Sequence, residues 1–183
     1  MKKVAVFFAD GFEEIEALTV VDVLRRAKID VTLVSMKGIK EICGAHKITL
    51  VTERFFDDMN YEAVDMIVLP GGMPGTARLA ENRPLQKLIN KFYENGKSIA
   101  AICAAPSILG TLGILAGRKA VCYPGYEDKL RGATIVDAEV VVDGNVITGR
   151  SMSSAIEFSL AIVEKLEGKE LADSVAKSIV FKA

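Results

Sequence analysis

An α/β fold with a mostly parallel sheet is what this sequence predicts, on three observations. Residues 3–9, 64–69 and 98–102 are stretches of strand length that are apolar apart from Lys3, Asp65 and Ser98, as expected of strands buried on both faces. Between the runs lie segments whose apolar residues recur at helical spacing. Strand and helix then alternate along the chain, and that pattern packs as three layers, with helices on the two faces of the sheet.

In chain order, the strand at 3–9 ends at Asp10-Gly11, either of which is placed to cap a helix over 12–28. That helix carries Glu13, Glu14 and Glu16 at its start and Arg25, Arg26 and Lys28 at its end, a polarity that suits the helix dipole. Ala17, Val20, Val21, Leu24 and Ala27 form its inward stripe; Glu13 and Glu16 fall near the stripe, Glu14 further round. A second strand covers 30–36. Residues 37–47 read as a loop holding Cys43 and a water-exposed His46, followed by a short strand at 48–52 and an irregular or weakly helical stretch at 57–63. The strand at 64–69 stops at Pro70-Gly71-Gly72. The glycines of 70–76 have neither the Lys-Ser/Thr ending of a phosphate loop nor the spacing of a dinucleotide fingerprint, so the stretch reads as a turn at a strand end.

A helix over 83–95 points Leu85, Leu88, Ile89 and Phe92 inward and ends at Gly96. The strand at 98–102 is followed by a helix at 106–115, a strand at 119–123 and a short helix at 126–131. The period then changes: 138–142 and 146–148 flank Asp143-Gly144, which signals a hairpin. An amphipathic helix at 153–166, a break at Gly168 and a last helix complete what reads as a single domain over 1–183.

Composition narrows the function. With 183 residues, half of them apolar, the chain can bury a sizeable core, and its net charge of -1 offers no footprint for nucleic acid or an anionic membrane. No run reaches the ~20 apolar residues that a membrane span needs, and the apolar stretch near the N-terminus is too short for a signal peptide. A cytoplasmic location is therefore expected. The three cysteines, Cys43, Cys103 and Cys122, form no CxxC and suit free thiols in a reducing compartment. A single histidine makes a zinc site unexpected, and no cofactor is implied.

The stretch with most chemistry is GlyLysSerIleAlaAlaIleCysAlaAlaPro, at 96–106. A buried strand breaks there into a helix, which places Cys103 above the strand's carboxyl end, where open α/β sheets bind ligands. The helix start is expected to favour thiolate over thiol. Ala101 and Ala105 flank the cysteine at the positions where a nucleophile elbow uses small residues. An inert buried cysteine fits this local sequence equally well.

Several stretches together carry a resemblance: AspGlyPheGluGluIleGluAla, ValAspValLeuArgArgAla, IleValLeuProGlyGly, AlaAlaIleCysAlaAlaPro and GluPheSerLeuAlaIleValGluLysLeu. In this order, over nearly the whole chain, they resemble the DJ-one family, also called the ThiJ/PfpI superfamily. The closing helix from Gly168 is similar to the DJ-one and ThiJ branch rather than the PfpI protease branch. The resemblance implies a flavodoxin-like, class I glutamine amidotransferase-like fold and a homodimer. It implies a reactive cysteine at Cys103 and a carboxyl partner at Glu16. It also implies an oxyanion or anion pocket from the backbone of Gly71, Gly72 and Ala104, with Arg26 near it, and a cysteine near the dimer interface at Cys43.

The departures from the family pattern bear on mechanism. Ala104 stands where the protease branch has histidine, and Tyr123 stands where much of the DJ-one branch has one, which leaves no evident Cys-His dyad and argues against a peptidase or glutaminase. The activity the resemblance implies is cofactor-free glyoxalase or deglycase chemistry on small carbonyl compounds. The alternative is a redox-sensing or chaperone-like protein acting through oxidation of Cys103.

Overall fold

The computed structural model describes residues 1–181. Its central sheet is built on β1 (Lys3–Phe8), whose side chains alternate: Val4, Val6 and Phe8 face one layer, Ala5 and Phe7 the other. On one side β1 pairs in parallel with β2 (Asp30–Ser35), which in turn pairs with the short β5 (Arg54–Phe55). On the other side it pairs in parallel with β6 (Met66–Leu69), followed by β7 (Ser98–Ile102) and β11 (Val146–Gly149). Only β10 (Val140–Asp143) runs antiparallel, as the outer arm of the hairpin turned at Asp143-Gly144. The long parallel strands thus lie in the order second, first, third, fourth, fifth, which is the flavodoxin-like arrangement.

Helix α1 (Glu14–Arg26) packs with α5 (Ala155–Glu167) and α6 (Lys169–Ser178) on the Val4-Val6-Phe8 face, around Leu24, Phe158 and Ile162. The opposite face carries α2 (Gly75–Glu81), α3 (Arg83–Glu94) and α4 (Pro106–Thr111), around Leu79, Ile89, Phe92 and Leu109. In α3 the Asn82 side chain caps the Leu85 amide at 2.9 Å, and a proline follows in the first turn.

The differences from the sequence reading are local. The residue that precedes α1 is Glu13, and neither Asp10 nor Gly11 caps it; the Asp10 carboxylate instead accepts the Cys43 amide at 3.0 Å and pairs with Lys37. The loop at 37–47 contains β3 (Glu41–Cys43), which forms a small antiparallel ribbon with β4 (Thr49–Val51). Helix α2 went unpredicted because its start is a run of turn formers, and the 57–63 stretch resolves into two single 3-10 turns. The strand expected at 119–123 shortens to β8 (Lys119–Ala120), paired with β9 (Thr134–Ile135). The helix after Cys103 stops at Thr111, and the segment at 126–131 is a single 3-10 turn.

The sheet order reverses between β1 and β6, so their carboxyl ends open a crevice. Three features meet there: the turn after β1, the Pro70-Gly71-Gly72 corner after β6, and the end of β7 carrying Cys103.

Candidate active site

Cys103 stands at the turn between β7 and α4 with φ of 66°, in the left-handed region that a non-glycine residue enters at a cost of about 1–3 kcal/mol. Its backbone is fixed from two sides. The amide donates to Gly149 O at 2.9 Å, at the end of β11, and the carbonyl accepts the Tyr123 amide at 2.8 Å. With both backbone groups held, the side chain projects from the corner. Ala101 and Ala105, both fully buried, leave room for that turn.

The backbone amides of Ala104 and Gly72 lie beside the sulfur and favour its charged form. Gly72 has φ of 90°, and a Cβ on it would come within 2.3 Å of the Glu13 amide nitrogen, so the corner demands glycine for two reasons. Gly71 is in contact with both reactive side chains: a Cβ there would lie 2.5 Å from Glu16 Oε2 and 2.7 Å from Cys103 Cβ. The three amides named from the sequence divide their work. Those of Ala104 and Gly72 serve the sulfur, whereas that of Gly71 donates to Glu16 Oε2 at 2.9 Å.

Glu16 comes from the first turn of α1 and is 1% exposed. Its Oε1 is buried without a hydrogen-bond partner among the described residues. Burial pushes its carboxyl from an ordinary 4.5 up to about 7; contacts with Cys103 and the Gly71 amide partly oppose that shift, and the charge of Glu13 adds to it. Burial likewise pushes the Cys103 thiol above its ordinary range, reinforced by the nearby Glu16 carboxylate and opposed by the Ala104 and Gly72 amides. The expected helix-start preference for thiolate is therefore outweighed. Desolvation wins because α4 is only six residues long and the sulfur is largely enclosed.

The two shifts describe one coupled pair. An ionised Glu16 repels a thiolate. A protonated Glu16 removes that repulsion, and a proton on Oε1 would make its orphaned oxygen a donor. Near neutral pH the thiol therefore keeps its proton while Glu16 shares one with solvent, and a thiolate beside a carboxylic acid is the less favoured of the pair's one-proton states.

Other expected residues fall differently. Arg26 lies ten positions beyond Glu16, about 15 Å along α1 at helical rise, with its Nε on Asp22 Oδ2 at 2.6 Å. Within the chain it is therefore no part of the Cys103 pocket. Tyr123 is at the site through its backbone, and its side chain is exposed. His46 is exposed, as expected of the loop, but is not free: its Nδ1 is 2.9 Å from Glu14 Oε2 and 3.7 Å from Glu13 Oε2. Glu14, expected further round the helix, is buried beneath the β3–β4 ribbon. Gly149 was not singled out; its only signal was a glycine closing a strand, and its role as acceptor for Cys103 depends on β11 lying beside β7.

A flavodoxin-like sheet with a strained cysteine at its crevice, paired to a buried glutamic acid, defines a class: α/β proteins with a nucleophile-elbow thiol. The DJ-1/PfpI family model matches residues 2–165, and the chain belongs to that family. It is 35% identical to protein dj-1beta of Drosophila melanogaster over 181 residues, covering 98% of this chain and 97% of that one. It is 40% identical to protein DJ-1 homolog B of Arabidopsis thaliana over 183 residues, 99% of this chain and 42% of that protein. The chain thus spans less than half the length of this plant relative. A deglycase of Pyrococcus abyssi is 37% identical over 152 residues, 81% of this chain and 89% of that one. The structure of oxidized Toxoplasma gondii DJ-1 superimposes with a TM-score of 0.96 at 34% identity, covering 100% of both chains. Among the described residues, no helix is long and apolar enough to cross a membrane.

Proposed function

We propose that this chain is a cysteine-dependent enzyme acting on small carbonyl compounds, of the glyoxalase or deglycase type, with Cys103 as nucleophile and Glu16 as proton shuttle. The observation that carries this reading is the coupled pair: a thiol at a strained elbow beside a buried carboxyl poised at about 7. Relatives named as deglycases support the reaction class.

With an α-oxoaldehyde, the sulfur adds to the aldehyde carbon, and the carbonyl π electrons move to oxygen. The Gly72 and Ala104 amides, which lie beside the sulfur, stabilise the oxyanion on the adjoining carbon. Glu16 gives its proton to that oxygen and forms a hemithioacetal. As carboxylate, Glu16 then takes the proton from the same carbon and returns it to the neighbouring one, while the hydroxyl proton passes from the first oxygen to the ketone oxygen, so the first carbon is oxidised to a thioester and the ketone is reduced to an alcohol. Water cleaves the thioester and releases a 2-hydroxy acid and the thiol. The sum is oxoaldehyde plus water, with no outside oxidant. On a glycated amine the same addition would free the amine.

We further propose that the working form is a homodimer of single-domain chains. A groove of about 520 Å³ between α1, the β3–β4 ribbon and the C-terminal helices is lined by Ile15, Leu18, Ile48, Ile156 and Ile179. Ile15, Leu18 and Ile48 are exposed in the single chain, and burying such a face against its own copy suits a two-fold interface.

Proton NMR of methylglyoxal with the protein tests the activity. Lactate is expected, and it should vanish with Cys103→Ala. No lactate above buffer would overturn the enzyme reading and leave an oxidation-responsive role for Cys103, to which amides beside the sulfur are equally suited.

A further inference from the structure

Three stretches of backbone border Cys103, and each carries or leads to a bulky side chain exposed to solvent. Met73 lies two residues beyond Gly71, which packs against Cys103 Cβ, and it is 52% exposed. Tyr123, whose own amide holds the Cys103 carbonyl, is 47% exposed. Met152 lies three residues beyond Gly149, the acceptor for the Cys103 amide, and is also 47% exposed. Exposed apolar residues scattered singly need no explanation. These three are grouped by the backbone that holds the nucleophile, at the carboxyl edge of the sheet.

Charge at this edge points the same way. In the segments 70–74, 121–125 and 149–154 the one charged residue is Arg150, and its Nη1 is committed to Asp137 Oδ1 at 2.6 Å. The turn after β1 adds carboxylates at Asp10 and Glu13 but no cation, so among the described residues these segments offer thioether and aromatic surface and no uncommitted cation for a substrate carboxylate.

We propose that Met73, Tyr123 and Met152 form an apolar rim that selects neutral carbonyl compounds bearing a bulky apolar or aromatic substituent over small or anionic ones. This rests on the enzymatic reading of Cys103 for its substrate class, but the rim itself does not. Methionine suits such a rim because its flexible, polarisable thioether adapts to aromatic faces, and a tyrosine ring supplies a rigid one.

The test compares the wild type with the triple variant Met73→Ser, Tyr123→Ser, Met152→Ser, whose exposed positions make a folding defect improbable; thermal unfolding checks this. Two readouts are taken. The first is kcat/KM for phenylglyoxal relative to methylglyoxal, where the variant should lose about tenfold of the preference for the aryl substrate. The second is the rate of Cys103 modification by N-phenylmaleimide relative to N-methylmaleimide, followed by mass and normalised to a free thiol. It needs no catalysis. A ratio well above one in the wild type that falls about tenfold in the variant supports the rim even if neither dicarbonyl is turned over, in which case only the enzymatic reading fails. A maleimide ratio unchanged by the variant overturns the rim, whatever the enzyme does.

Discussion

Cys103 and Glu16 control each other's charge, and that coupling has a cost to stability which can be measured. The Glu16 carboxyl is raised by burial from an ordinary 4.5 to about 7. Below pH 4.5 it is protonated in both the folded and the unfolded chain. As pH rises towards 7 the unfolded chain releases a proton that the folded one keeps, and above 7 the folded chain must hold a buried charge. Stability from this residue is thus present at low pH and lost with rising pH, by roughly 3 kcal/mol in all. Glu16→Gln should remove that slope: in urea unfolding the variant should gain on the wild type between pH 5 and pH 8, and an equal difference at both would show that Glu16 carries no raised pKa. At this scale the place of Cys103 was legible, because a cysteine between a buried apolar run and a proline-started helix occupies a corner. The choice among Glu13, Glu14 and Glu16 was not, since each lies within one turn of the others and only the position of Gly71 decides which carboxyl meets the thiol.

At the scale of elements, the β3–β4 ribbon is strapped over the start of α1. Glu14 Oε1 accepts the His46 amide at 2.7 Å, its Oε2 meets His46 Nδ1, and Ala45 N donates to Phe12 O at 2.9 Å. Burial pushes the Glu14 carboxyl up, but the hydrogen bonds from the His46 ring and from the nearby amides together hold it below its ordinary value. That contribution is present above pH 4.5 and is lost as pH falls through the lowered value. Bonding to Glu14, with the charges of Glu13 and Glu14, raises His46, whose contribution is present below 6.5 and is lost as pH rises through its raised value. The strap should therefore be tightest between these limits. Glu14→Gln should loosen it at pH 6, costing about 1–3 kcal/mol and speeding amide exchange over 44–48, with the difference shrinking near pH 3. Unchanged exchange at pH 6 would refute the strap. Helical periodicity alone put Glu14 on the outer side of α1, and it could not anticipate that a ribbon from another part of the chain covers that side.

For the whole molecule, the apolar groove along α1 sets the expected assembly. Wild type should sediment as a dimer of 19.7 kDa chains, and Leu18→Lys, which puts a charge into that groove, should sediment as a monomer with its helical content retained. A monomeric wild type at micromolar concentration would remove the dimer reading. The same scale separates what each source of information decides. The sequence by itself determined the layered α/β class, most of the elements that frame the site and the cysteine at its corner, because apolar period and turn residues are local properties that the chain carries wherever it goes. The tertiary structure alone decided the strand order that opens the crevice between β1 and β6, and the pairing of β11 with β7 that brings Gly149 to Cys103. It also decided the burial that raises both the thiol and Glu16. These depend on which distant segments become neighbours, and burial, which sets the charge of the reactive pair, exists only once they have met.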